Sequence, residues 1–155
     1  MNPVLALPTV QPTTGLTLVD LAPDDERWEE ALPVLQQLRP HLSHDLLEQV
    51  LAEGYPQGLR FTAAFEGGRC VGVAGWRIVA TTVAGRKIYV DDLVTARDER
   101  SRGVGHALLA ELECRGRAAG CTMLALDSGV QRHDAHRFYL RERLSITSHH
   151  FSKCL

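Results

Sequence analysis

Apolar and polar positions along the chain change period several times, and each change marks an element. Leu16 to Leu21 reads as a short strand. Pro23-Asp24-Asp25-Glu26 then places acids where a helix dipole begins, which predicts a helix running to about Leu38 with Pro33 as a kink point. Arg39-Pro40 closes it, Ser43 is placed to cap a second helix over Asp45 to Glu53, and Gly54 ends that helix. Phe61–Phe65, Cys70–Val79 and Lys87–Thr95 are runs rich in β-branched and aromatic residues. Glu66-Gly67-Gly68-Arg69 and Ala84-Gly85-Arg86 separate them, so they predict an antiparallel meander.

Helical spacing returns at Val104–Ala119. Val104, Leu108 and Leu112 share a face, and Glu111 with Arg115 and Glu113 with Arg117 form i,i+4 pairs on the other side. Gly120 is the stop. Cys121–Leu126 is an apolar strand, Asp127-Ser128-Gly129 a turn, Arg132–Glu142 a helix and Ser145–Phe151 a last strand. The order is β-α-α-β-β-β-α-β-α-β, an α/β (α+β) domain with one mixed, mostly antiparallel central sheet flanked by helices. Residues 1–14, rich in Pro and Thr, read as a flexible tail, and 15–155 as a single domain.

Composition narrows the function classes. Of 155 residues, 45% are hydrophobic and 23% charged, which suits a packed core rather than a disordered chain. Seventeen basic and 19 acidic residues give a net charge of -2, so bulk attraction to nucleic acid or to an anionic membrane is not expected. No apolar run approaches the roughly 18 residues needed to cross a bilayer. Arg27 is the first basic residue, and Pro3, Pro8, Pro12 and Pro23 interrupt what precedes or adjoins it, which is a poor secretory signal. Cys70, Cys114, Cys121 and Cys154 show no C-x-x-C spacing, so they are expected to be reduced packing thiols of a cytoplasmic protein.

The segment with chemistry in it runs from Leu93 to His106. A strand ending Leu93-Val94-Thr95 leads into a polar turn, Arg100-Ser101-Arg102-Gly103, and Gly103-Val104-Gly105-His106 opens a helix. Glycines let a ligand approach the backbone, and the first amides of a helix lack intrahelical partners. Together with the helix dipole they make an anion site suited to a phosphate or pyrophosphate, with Arg100 and Arg102 adding charge and His106 within reach. A dinucleotide fingerprint is excluded because position 108 is Leu, and a Walker loop because no Gly-Lys-Ser/Thr follows.

Arg100-x-x-Gly103-x-Gly105 after a strand resembles the pyrophosphate loop of the GNAT acetyltransferases. Ala135-His136-Arg137-Phe138-Tyr139 is similar to the helix after the fifth strand in that family, which carries a Phe-Tyr or Leu-Tyr pair. The stretch Arg132–Glu142 is similar to the aminoalkylphosphonate N-acetyltransferases, though it lies partly on the cofactor side and says little about the acceptor. The resemblance spans about Leu16 to Leu155. This chain has Arg97 where the family often has Pro, and Arg143-Leu144 where it usually has Gly-Phe. A left-handed backbone at Arg143 would therefore cost about 1 kcal/mol.

The resemblance implies acetyl transfer from acetyl-CoA to a primary amine in a direct ternary complex. The pantetheine arm is expected beside Leu93, Val94 and Thr95, with a backbone N–H of Val94 or Thr95 on the acetyl carbonyl. Arg100, Ser101, Arg102, Gly103, Val104, Gly105 and His106 are the expected phosphate-binding set. A free alkylamine has a pKa near ~10 and needs to lose a proton, which is work for a carboxylate. Asp91 and Asp92 both precede the donor segment and face opposite ways on a regular strand, unless a bulge swaps them; Asp92, immediately before Leu93, is favoured. By resemblance Tyr139 is the acid for the departing thiolate. Trp76, Arg77, Tyr55 and Arg60 are candidates for the acceptor pocket. His133 and His136, with Asp134 between them and His149, His150 or Cys154 nearby in sequence, are read as surface histidines, with no metal expected.

A small-molecule amine is the expected partner, with an aminophosphonate, an amino acid or a protein amino terminus also open, and a homodimer compatible with the chain. Two other classes stay open at this level: a CoA-binding regulatory module without catalysis, and a phosphate-binding interaction domain.

Overall fold

The computed structural model describes residues 15–155, so the N-terminal tail lies outside the described residues. Ten elements follow one another: β1 (Leu16–Leu21), α1 (Trp28–Leu38), α2 (His44–Gly54), β2 (Arg60–Glu66), β3 (Arg69–Thr81), β4 (Gly85–Thr95), a 3-10 turn (Arg97–Glu99), α3 (Val104–Ala118), β5 (Met123–Leu126) and α4 (His133–Arg141). Five strands form one sheet in the order β1-β2-β3-β4-β5. The first four are antiparallel neighbours, and β5 joins β4 in parallel. That is the mixed, mostly antiparallel sheet expected from the pattern.

Local chemistry explains the element ends. Ser43 caps α2, its hydroxyl accepting from the Leu46 amide at 3.1 Å. Pro33 sits inside α1 without ending it. Gly120 is left-handed at φ 73° just past α3, as a helix stop should be. Arg143 is left-handed too, at φ 67°. The chain tolerates that strain, worth about 1 kcal/mol, because the Leu144 amide bonds back to the Tyr139 carbonyl at 3.0 Å.

The core has two layers, one on each face of the sheet. Leu21, Phe61, Ala63, Val73, Val94 and Ala96 pack under α1 and α2. Ala64, Val71, Trp76, Ile88, Val90 and Leu93 pack under α3, with Phe138 and Tyr139 of α4 against them. The last strand expected within Ser145–Phe151 does not form: after α4 no strand is assigned, and the segment has no ladder partner among the described residues. No helix among the described residues is long and apolar enough to cross a membrane.

Candidate active site

Two strands part where the site begins. β4 and β5 pair from Lys87↔Met123 to Val90↔Leu126 and no further, while β4 runs on to Thr95. Beyond Val90, β4 pairs only on its β3 side among the described residues, where Thr95 faces Gly72 and Asp92 faces Gly75. Its other edge over Asp91 to Thr95 offers backbone N–H and C=O groups to a ligand that can add as a strand.

A bulge decides where the two aspartates point. Trp76 pairs with Val90 and Gly75 with Asp92, so Asp91 is the extra residue and the strand's faces swap there. Ile88, Val90 and Leu93 consequently share the α3 face, while Val94 lies in the α1 layer. Asp92 falls on the α1 face, where its Oδ1 accepts from Arg39 Nε at 2.7 Å. Gly75 makes room for it: a Cβ there would sit 3.0 Å from Asp92 Oδ2 and 2.8 Å from the Phe61 ring. Burial pushes the Asp92 carboxyl above the usual carboxylate range, with Arg39 pulling the other way. Asp91 is held bidentately by Arg77 Nε and Nη2 at 3.0 and 3.1 Å.

Tyr139 packs against the α3 layer, the face of the sheet opposite Asp92, with its ring 5.4 Å from that of Phe138. Burial raises its phenol pKa, and the Arg132 guanidinium beside it offsets part of the rise. The phenol therefore stays protonated through neutral pH. Arg132 reads from the sequence only as the start of a helix; its place beside the phenol carries no sequence pattern of its own.

The glycine turn closes the third side. Gly103 is left-handed at φ 83°, and a Cβ there would meet nothing within 4 Å, so this position opens outward. No side chain caps α3, which leaves its first amides without a side-chain acceptor. Ser101 is left-handed as well, at φ 66°. Gly105 has a packing role as well: a Cβ there would meet the Phe138 ring at 3.1 Å and Thr95 Oγ1 at 3.4 Å. Its missing side chain lets α4 and the end of β4 close on the first turn of α3.

The charges around the turn are shared unevenly. Arg100 is exposed and has no carboxylate partner among the described residues. Arg102, expected to add charge at the turn, is bonded to Glu99 and lies 3.6 Å from Glu66. Glu99 is buried at 5% exposure and also takes Arg69, which bonds Asp98 at 2.6 Å. A buried carboxylate thus ties the turn to the β2–β3 hairpin. Sequence reading missed it because its partner Arg69 lies thirty residues away. His106 Nδ1 is 2.8 Å from Glu142 Oε2, which links α3 to the end of α4.

The acceptor candidates separate. Arg77 stays at the site through Asp91. Trp76 does not: it is buried in the α3 layer, donates to Thr62 Oγ1 at 3.0 Å and lies under Arg115. Arg60 stacks on Tyr55 at 3.9 Å and bonds the Tyr55 and Leu59 carbonyls. Tyr89, not anticipated, donates to Asp127 at the end of β5. His133 and His136 stand 6.1 Å apart, and His136 bonds the Gly129 carbonyl.

The acetyltransferase (GNAT) family model matches residues 22–143. The chain belongs to that family. An uncharacterized N-acetyltransferase, YhdJ, of Bacillus subtilis (strain 168) is 32% identical over 130 residues, 83% of this chain and 92% of the relative. An aminoalkylphosphonate N-acetyltransferase of Salmonella typhimurium is 38% identical over 66 residues, 43% of each chain. The structure of an aminoglycoside N-acetyltransferase, AAC(6')-Iy, in complex with CoA superposes with a TM-score of 0.79 at 18% identity. That match covers 95% of this chain and 99% of the other, and it speaks to the fold. This GNAT chain is thus an N-acetyltransferase, and the structure it superposes on holds CoA. The residues fit that molecule: an unpaired strand edge for its arm, and an uncapped helix start behind an outward-facing glycine for its phosphates.

Proposed function

We propose that this protein transfers an acetyl group directly from acetyl-CoA to a small-molecule primary amine in the cytoplasm. The observation that carries the reading is the parting of β4 from β5 after Val90↔Leu126, beside the uncapped start of α3. Acetyl-CoA supplies a thioester whose carbon the amine nitrogen attacks. The chain's own groups do the rest. The edge of Leu93, Val94 and Thr95 aligns the donor, and the N–H of Val94 or Thr95 polarises the acetyl carbonyl. Arg100 and the amides of Gly103, Val104, Gly105 and His106 hold the pyrophosphate, with Ser101 and Arg102 shaping the turn.

Asp92, from the α1 face, takes the ammonium proton of the acceptor directly or through water. Its burial suits this, because a raised carboxyl pKa narrows the gap to the amine. Tyr139, from the α3 face, gives its proton to the departing thiolate and recovers one from solvent. Acid and base thus approach the reacting carbon from opposite sides of the sheet. No cysteine is asked to carry the acetyl group. Cys70 is buried with its thiol pushed up to about 11, the wrong direction for a nucleophile.

Thiol release from acetyl-CoA across a panel of primary amines tests this reading. Amine-dependent release, with the acetylated amine seen by mass, is expected. Acetyl-CoA binding with no release on any amine would leave a CoA-binding module instead.

Glu99 gives a further expectation. Glu99→Gln loosens the clamp on the turn, so the KM for acetyl-CoA should rise by about 10-fold, equivalent to about 1.4 kcal/mol, with kcat little changed. A donor lacking the nucleotide, acetyl-pantetheine, should show no difference between the two proteins. A loss that is the same for both donors would count against the clamp.

A further inference from the structure

One guanidinium at the site is only partly used. Arg39 is the C-cap of α1, and Pro40 ends the helix there. Its side chain reaches across to β4, where Nε donates to Asp92 Oδ1 at 2.7 Å and Nη2 to the Asp91 carbonyl at 3.2 Å. A guanidinium has five N–H donors. Among the described residues, both N–H groups of Nη1 meet no acceptor. The side chain stays 45% exposed, beside an Asp92 side chain that is 16% exposed. Arg77 differs: it gives Nε and Nη2 to the two oxygens of Asp91 and is 24% exposed.

Asp92 is half used as well. Its Oδ1 holds Arg39, while Oδ2, beside Gly75, has no donor among the described residues. An ammonium that gives its proton to Asp92 therefore comes within the width of one carboxylate of the Arg39 guanidinium. Two cations that close repel, the more so where burial thins the water between them. Within this group Arg39 balances Asp92 and Arg77 balances Asp91, so a bare ammonium leaves a positive charge in excess. An ammonium that brings its own anion does not, and that anion has the donors of Nη1 to bind.

We infer that the acceptor is an amine bearing an acid group a few bonds from its nitrogen, and that Arg39 is the residue that binds the acid. The inference rests on the acetyl-transfer reading above and gives its amine a class. Carboxylate, phosphonate and phosphate share the required chemistry, since each offers oxygens that accept two parallel N–H bonds from one guanidinium. The short reach from Arg39 to Asp92 sets the spacing: acid and ammonium sit on neighbouring groups, which a chain of a few atoms spans. The acid also loosens the hold of Arg39 on Oδ1, and a carboxylate relieved of a cation takes up a proton more readily. Binding of the right acceptor thus prepares the base that it needs.

The test is thiol release with saturating acetyl-CoA on short amines that end in a carboxylate, a phosphonate or a neutral amide. β-Alanine, aminoethylphosphonate and β-alaninamide are such a set. The wild type should favour the better of the two acid-bearing amines over β-alaninamide by about 10- to 100-fold in kcat/KM. The ratio of carboxylate to phosphonate says which acid Arg39 takes. In Arg39→Gln, with a melting curve verifying its fold, the preference should shrink to within about 3-fold. A misplaced base would slow all three amines alike, so the preference isolates the acid contact. Equal use of β-alaninamide by the wild type, or an undiminished preference in Arg39→Gln, overturns the inference and leaves the transfer reading standing. Thiol release on no amine ends the transfer reading instead, and calorimetry on the CoA-loaded proteins then decides the acid contact. There β-alanine or aminoethylphosphonate should bind the wild type at least about 10-fold more tightly than Arg39→Gln, and equal or absent binding overturns the inference.

Discussion

Asp92→Asn is expected to slow turnover by about 100-fold or more while acetyl-CoA affinity stays within about 1 kcal/mol of wild type. Asparagine keeps the shape that Gly75 and Phe61 accommodate and can still accept from Arg39, so the lost property is the proton acceptor. Raising the pH should recover part of the rate, because more of the amine arrives unprotonated. In the wild type the direction of the pKa shift fixes the acid limb. Burial raises the Asp92 carboxyl, so as pH falls it takes up a proton, and stops acting as a base, at a higher pH than an ordinary aspartate near ~3.9. The acid limb of kcat/KM should therefore lie above the usual carboxylate range. A variant with the normal rate at neutral pH would move the role to Asp91 or to water alone.

Tyr139→Phe is the second large effect. The change removes one hydroxyl and leaves the ring that packs beside Phe138 and the α3 layer. Turnover should fall by roughly 10- to 1,000-fold, with acetyl-CoA affinity changed by less than about 1 kcal/mol. Burial holds the phenol pKa above its ordinary value near ~10, so the acid form persists through neutral pH and no loss of it is expected until strongly alkaline pH. A phenol needs little driving force to protonate a thiolate whose conjugate acid is near ~8.5. Steady-state kinetics and donor binding on both proteins, with melting curves, test the role. Wild-type turnover in the variant, with chemistry rate-limiting, would make Tyr139 a packing residue.

The two aspartates show what a sequence can and cannot convey about such a site. Alternation along β4 identifies a strand and places two carboxylates ahead of the donor segment. It cannot say which one faces the acceptor, because one extra residue reverses every face after it. The bulge at Asp91 is that residue, and the cue that accompanies it, Gly75 opposite Asp92, becomes meaningful only once the register is known. The glycine turn was legible for a different reason. Left-handed backbone at Gly103 and a helix start in sequence are local properties, so they survive without tertiary information. Gly105 was half legible: a glycine was needed, but its packing against the Phe138 ring, from a helix some thirty residues later, was not visible.

Glu99 and Trp76 failed for opposite reasons. Glu99 looked like one more polar residue of a loop, yet two arginines from different parts of the chain make it a buried anchor. Trp76 looked available for a pocket, yet the Thr62 hydroxyl beneath it satisfies its indole N–H within the core. The last strand, expected within Ser145–Phe151, does not form, because strand-like sequence specifies no partner. Five strands pair among the described residues, and residues 145–151 do not join them.

Initial rates with acetyl-CoA and an accepted amine varied together bear most directly on the central claim, that Asp92 and Tyr139 serve one transfer step across the β4–β5 gap. Direct transfer predicts intersecting double-reciprocal lines, and an intact-protein mass that does not change when acetyl-CoA is supplied alone. Parallel lines, with the protein heavier by one acetyl group before any amine is added, would contradict it.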